Sequence, residues 1–540
     1  MEETSAMKKL LAILLACLML VSLLAGCGST GSSETASEKE EAPKADTSSK
    51  DAEEANGAEE DEGGDAEEAF TRFDELQEVN YWIRTWADYE GRTEVWEEIN
   101  KILEEKINVH VNPTFLSTDF NNQLVLALAA GENVDLTMVP WAFASFTSQN
   151  VLQPLNDLIP EYAPWIAENM ADYLPAMSID GNIYAVTVNR EMNTSQYLIW
   201  RKDIVQALGL EDKMKAVDSW TGLHDILAEI RDRQDELPDD LKTPIIFGAQ
   251  NGNGSMVAYQ GVDWSADKAA DNKAYDYLGC DYIAVIDGKV IDNMTADHAV
   301  AMYDRMYDWY QEGGLISKDA ATTSEYSDTC MANGQYFCYF SNAEYGAAAA
   351  KSNNTGRDLD AKVWVNIGLT TSYVSCFGMG IPNGAENPEA AMAVMDQLMS
   401  NPDICNLNVW GIRGRDYELD DTGCAYRLDD RTYEALEYFQ GNQFLAYAPQ
   451  QEEGAAFRDH QYEDCKNGQM SPYFGLAIDN TEIANELTAI KNVIDKYYPT
   501  IACGQVKADT VIDDFKAELE AAGMPKILAF YQEAVDNWDK

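Results

Sequence analysis

From residue 79 onward the chain switches repeatedly between two hydrophobic periods. Residues 79–86, VNYWIRTW, are aromatic and β-branched and predict a strand. Residues 91–106 predict a helix, because Val95, Trp96, Ile99, Ile102, Leu103 and Ile107 recur at spacings of three and four and fall on one face. That spacing makes Trp96 a core residue. Apolar and polar residues then alternate over 107–111, as in a second strand. Thr118 or Asp119 suits an N-cap. Phe120, Leu124 and Leu128 form the buried face of the helix that follows, and Gly131 sits where a helix C-terminus favours glycine. Residues 134–139 form a short apolar strand stopped at Pro140-Trp141. Strand, helix, strand, helix, strand predicts an α/β sheet with parallel neighbours. Further along, Met302, Met306 and Trp309 share one helix face and read as core.

The N-terminus carries a different pattern. Lys8-Lys9 precedes an apolar run over 10–24, and Leu24-Ala25-Gly26-Cys27 ends it. This is the layout of a secretory signal, and the run is shorter than the roughly 20 residues a spanning helix needs. Leu24 to Cys27 resembles a bacterial lipobox, which implies cleavage before Cys27 and lipid on that cysteine. Glu2 and Glu3 suit an n-region poorly, and Met7 is an alternative start. Residues 28–69 are small, polar and acidic. They bury too little apolar surface to fold, and like charges extend them into a tether. Residues 70–540 exceed one ordinary core and predict two lobes.

Charge narrows the function classes. The net charge is −55, which argues against nucleic acid as a partner and makes a strongly anionic ligand less expected. Ten cysteines are present, two of them within 1–27. The other eight show no C-x-x-C pair and no metal-ligand spacing, so mostly free thiols and no cofactor are expected. The four histidines form no H-E-x-x-H arrangement, and His110, flanked by Val109 and Val111, reads as an ordinary strand residue. Neither a G-x-S-x-G elbow nor a phosphate loop is present. Carboxylates are too abundant for a glycosidase pair to be judged by counting, since only a measured separation has meaning.

A resemblance then becomes specific. Residues 128–136, LAAGENVDL, are similar to a step of the extracellular solute-binding proteins of carbohydrate-type ABC importers. Further matches follow in the family's order: 152–158 (LQPLNDL), 179–186 (IDGNIYAV, with Thr187 where the family has proline), 200–203 (WRKD), and 378–382 with 387–391. Residues 410–417 (WGIRGRDY) and 474–479 (FGLAID) resemble the larger lipoprotein branch of this family, although Arg413 stands where that branch has an acid. The resemblance implies a two-lobed α/β fold of the periplasmic-binding-protein type II, with a hinge and an interlobe cleft. Lobe 1 is expected over 70–198 and 365–410, and lobe 2 over 199–364 and 411–540. It also implies a non-enzymatic role: an exported protein on the outer face of the cytoplasmic membrane of a Gram-positive bacterium, held by lipid, that captures a small solute and passes it to ABC permease subunits.

An oligosaccharide is the expected solute, because aromatic rings stack on the apolar faces of a sugar and polar side chains pair with its hydroxyls. Such residues belong where strands end. Trp86, Asp88 and Tyr89 follow the first strand and Trp141 the third. Asn189, Arg190 and Glu191 precede the crossing into the second lobe and are expected to face the cleft from below, with a hinge ion pair as the alternative role of Arg190. The family's cleft-facing aromatic falls at Tyr345, with Asn342 and Glu344 as hydroxyl partners. Trp410 and Arg413 complete the candidates, with simple packing under the Gly411 turn as the alternative for Trp410. Two other readings stand beside this one: a surface glycan-active hydrolase, and a lipoprotein binding peptides or another small solute.

Overall fold

The computed structural model describes residues 72–249, 262–323, 325–436 and 439–538. The signal and lipobox read over 1–27, Cys27 included, and the tether read over 28–69 lie outside them. Nine strands build the two main sheets: β1 (Gln77–Arg84), β2 (Val109–Leu116), β3 (Leu136–Met138), β4 (Val186–Thr187), β5 (Thr194–Arg201), β6 (Ile245–Gly248), β7 (Tyr336–Ala343), β8 (Leu359–Gly368) and β9 (Gly378–Gly380). The first sheet has the order β2-β1-β3-β9-β4. In it β1 runs parallel to both β2 and β3, as the alternation of strands and helices requires. β9 returns antiparallel between β3 and β4. The second sheet has the order β8-β5-β7-β6.

Each sheet has its own core. α1 (Arg92–Ile107) buries Val95, Trp96, Ile99, Leu103 and Ile107, the predicted face, against Val79 and Tyr81 of β1 and Val109 and Val111 of β2. α2 (Phe120–Ala130) begins after Asp119 and ends at Gly131, whose φ of 82° and N–H to Ala127 O and Leu128 O make the left-handed cap that glycine adopts most easily. The second core gathers Trp200, Trp220, Phe247, Met302, Met306, Trp309 and Phe340 around the second sheet. A third core joins Ile283, Val285 and Tyr303 to the C-terminal helices Ala484–Ala502, Ile512–Ala522 and Met524–Asp536.

The packing corrects the expected lobe boundaries. β5 and β8 run from 194 to 201 and from 359 to 368 within the second sheet, so divisions at 198/199 and 364/365 would cut both strands. Residues 411–440 were expected with the second lobe. Instead Tyr433 and Phe439 are buried in the first core, with Ile412 packed against it. Tyr81 Oη donates to Gln440 Oε1 at 2.9 Å, and Gly91 N donates to Thr432 O at 2.9 Å. Hydrogen bonds made far along the chain decide this, and local periodicity does not report them.

No disulfide joins the eight cysteines of the described residues, and seven of the eight are buried. None of the helices of the described residues is long and apolar enough to cross a membrane.

Candidate functional site

β1 and β3 both run parallel, so their carboxyl ends meet on one edge of the first sheet, the edge where open α/β sheets bind ligands. Arg84 closes β1 and Trp86 follows it; Trp141 follows β3. Trp141 holds a φ of 50°, a left-handed backbone that a bulky residue adopts only with strain of about 1–3 kcal/mol. Its N–H donates to Cys376 O at 2.7 Å, which fixes the strained turn and presents the indole. Trp141 is 54% exposed and Trp86 45%. Their rings meet edge to face with centroids 6.0 Å apart.

Two phenylalanines support them from beneath. Phe377 lies 4.6 Å from Trp141, Phe439 lies 5.2 Å from Trp86, and the two phenylalanines are 4.7 Å apart. The Arg84 guanidinium stands over both indoles, at 4.9 Å from Trp86 and 5.0 Å from Trp141. Beside this platform a pocket of about 90 Å³ opens between Arg84, Trp86, Tyr89, Trp96, Tyr433 and Phe439. Tyr89 shares a hydrogen bond with Glu434 there, and burial together with that carboxylate raises its pKa.

Asn189 and Arg190 act behind the platform. Asn189 N donates to Gly441 O at 3.0 Å and Gln443 N to Asn189 O at 2.8 Å, a clamp on the segment that carries Phe439. Arg190 is 3% exposed. It lies over Tyr373 at 4.6 Å and Phe377 at 5.5 Å and donates to Glu191 O at 2.7 Å and Tyr373 O at 2.8 Å. In place of the hinge ion pair considered from sequence, Arg190 holds carbonyls and an aromatic ring.

The remaining candidates sit elsewhere. Asp88 is engaged in an ion pair with Arg92, which lines the pocket. Asn342 accepts a hydrogen bond from Gln196 on the neighbouring strand. Glu344 directly follows β7 of the second sheet, and its charge raises the pKa of Glu191, Tyr197 and Cys376 after the larger effect of burial. Tyr345 is not an open stacking ring. Its hydroxyl donates to Glu453 at 3.0 Å and its ring packs 5.8 Å from Phe457.

Trp410 and Arg413 are corrections. Trp410 is 6% exposed in a cluster with Val409 and Tyr417, its Nε1 donates to Tyr447 O at 3.0 Å, and Arg427 covers its face at 4.9 Å. Arg413 forms a surface pair with Glu418 at 3.1 Å. The sequence reading missed Arg84, Phe377 and Phe439. Arg84 was within reach, as the cation at the end of an aromatic strand; Phe377 and Phe439 carry no local signal.

Residues 98–411 match the family described as bacterial extracellular solute-binding protein, and residues 472–540 match a domain of unknown function. A carbohydrate ABC transporter substrate-binding protein of Streptococcus pneumoniae serotype 4 is 21% identical over 460 residues, covering 82% of this chain and 87% of the relative. The crystal structure of the N-glycan transport solute binding protein NgtS from Streptococcus pneumoniae superposes with a TM-score of 0.71 at 18% identity, covering 85% of this chain and 98% of that one. Complexes of NgtS with Man1GlcNAc and Man5GlcNAc give 0.60 and 0.59. The Streptococcus pneumoniae ABC-transporter substrate binding protein FusA in complex with kestose gives 0.57 at 18% identity, covering 85% of this chain and 99% of that one. These structures have the two-lobed fold that the resemblance implied. With more than half of its length matched, this chain belongs to the bacterial extracellular solute-binding protein family.

Proposed function

We propose that the protein captures an oligosaccharide outside the cell and delivers it to the permease subunits of an ABC importer. The observation that carries this reading is the pair of half-exposed indoles at the carboxyl ends of β1 and β3. A large ring left in solvent forgoes burial worth about 1.5–3 kcal/mol, and Trp141 adds backbone strain. The burial is recovered when a sugar's apolar face covers the rings, and the strained turn keeps the Trp141 indole presented for it. The hydroxyls of that sugar would meet Tyr89 and the polar pocket wall. The same solute class is supported by the relatives: a carbohydrate ABC transporter substrate-binding protein, an N-glycan transport solute binding protein, and a substrate binding protein in complex with kestose.

In this reading the halves are lobes that close by hinge motion, with 188–193 and 369–377 as crossings between the two sheets. Closure would bring Glu344 and Asn342 towards the platform, and Tyr345 once it leaves Glu453. Cys27 would carry the lipid that holds the protein on the outer face of the cytoplasmic membrane, and 28–69 would be its tether. Cys27→Ala is then expected to release the body into the medium or leave the precursor uncleaved. A variant that is still lipidated and membrane-bound, as read by fractionation and mass spectrometry, contradicts the anchor.

The test of the function is calorimetric titration with a broad oligosaccharide panel, followed by recovery of the sugar. Binding at one sugar per protein with the sugar intact is the expected result. A cleaved sugar supports the hydrolase instead. Binding of peptides with no binding of any sugar overturns the solute class.

A further inference from the structure

Arg84 differs from every other arginine among the described residues. The others each hold a hydrogen bond or an ion pair to a carboxylate or a carbonyl. Arg84 has neither from its side chain among the described residues; only its backbone N–H is engaged, with Met138 Sδ at 3.2 Å. This occurs in a chain with 93 acidic and 38 basic residues, where a carboxylate partner is easily supplied. The guanidinium instead lies between two half-exposed indoles, 4.9 and 5.0 Å from their centroids. Cation–π contacts of this kind are attractive. They hold the fork flat and leave its N–H donors available.

Two acids tied to the pocket lining are already compensated. Asp88 pairs with Arg92 and Glu434 with Arg431 at 2.7 Å. Arg84 is therefore the charge at the pocket mouth without a counter-charge among the described residues. Burial pushes its pKa down, with no acid acting against it. The net charge of the whole chain does not cancel this local field, because exposed charges beyond about 8 Å are screened at physiological ionic strength. Five donors in a rigid planar fork match a carboxylate bidentately. A neutral hydroxyl uses only one or two of them and leaves the charge unmet.

We propose that Arg84 is a specificity-determining residue and that the oligosaccharide bound on this platform carries a carboxylate, as a uronic or sialic acid residue does. This rests on the oligosaccharide reading above and narrows it. The expectation drawn from net charge alone, that an anionic ligand is disfavoured, is reversed at this one site.

The experiment pairs each uronate- or sialate-containing oligosaccharide with its carboxyl-reduced neutral counterpart of the same length and linkage. Each pair is titrated at low and physiological salt against wild type, Arg84→Met and Arg84→Lys. Wild type is expected to prefer the acidic member at least tenfold, with the preference larger at low salt. Arg84→Met, which keeps a side chain between the indoles, is expected to bring the ratio close to one. Arg84→Lys, which keeps the charge but loses the fork, should fall between. Neutral members that bind as tightly as acidic ones in wild type overturn the inference, as does an Arg84→Met variant that weakens both members equally. In both cases sugar binding itself survives. If no sugar of either kind binds, the oligosaccharide reading falls, and this inference falls with it.

Discussion

Trp96→Ala is expected to destabilise the protein by about 3–5 kcal/mol, the usual loss for a large aromatic removed from a core. Trp96 is 1% exposed and meets Tyr81 edge to face at 5.6 Å. Tyr81 in turn donates from its hydroxyl to Gln440. Removing the indole leaves a cavity between α1 and β1 and loosens the link from β1 to the 433–440 segment. Trp96 also floors the pocket, so sugar affinity should fall in the same variant. Urea unfolding followed by circular dichroism reads the stability loss. A midpoint within error of wild type contradicts the assignment of α1 as the cover of the first core.

The second large effect depends on pH. Glu191 lies on the crossing between the two sheets and is 3% exposed. Burial pushes its carboxyl up to about 9, with Asp464 and Glu344 acting in the same direction, while the Asn193 amide and Arg190 oppose them. Oε1 accepts from Asn193 N at 2.8 Å, and Oε2 has no partner among the described residues. The sign follows from proton counts. Below pH 4.5 both folded and unfolded chains keep the proton. Between 4.5 and about 9 the unfolded chain ionises and the folded one does not, so stability falls as pH rises. By neutral pH the loss is about 3 kcal/mol, at about 1.4 kcal/mol per unit. Glu191→Gln mimics the protonated acid and lacks this loss. It is expected to be no more stable than wild type near pH 5 and increasingly more stable towards pH 8. Parallel stability profiles for the two proteins over that range contradict an uncharged Glu191.

Local chemistry made the first half of the fold readable. β1, α1 and Gly131 each follow from side-chain period or backbone freedom within a short window, and Trp86 and Trp141 follow because strand ends in such sheets face the ligand edge. Readability stops where long-range pairing decides. Phe439 reaches the platform through backbone bonds from Asn189 to Gly441 and Gln443, which no local pattern encodes. β5 and β8 extend across the expected boundaries because they pair with each other along their full length. Trp410 was misplaced because an aromatic before a glycine turn looks the same whether it is packed or presented. What decides it is Arg427 on its face and Tyr447 O on its nitrogen, both contributed by later segments. Tyr345 was likewise placed by family position, and its hydroxyl is taken by Glu453.

The most direct measurement of the central claim is calorimetric titration of the Trp86→Ala/Trp141→Ala double variant with the best-binding sugar of the panel, alongside urea unfolding of the same variant. Both rings are about half exposed, so their removal should leave the unfolding midpoint close to wild type. Interface aromatics of this kind carry about 2 kcal/mol or more each, and 2 kcal/mol is roughly thirtyfold in affinity. The account predicts a loss of at least thirtyfold in affinity in a stably folded protein; a double variant that binds the sugar as tightly as wild type contradicts it.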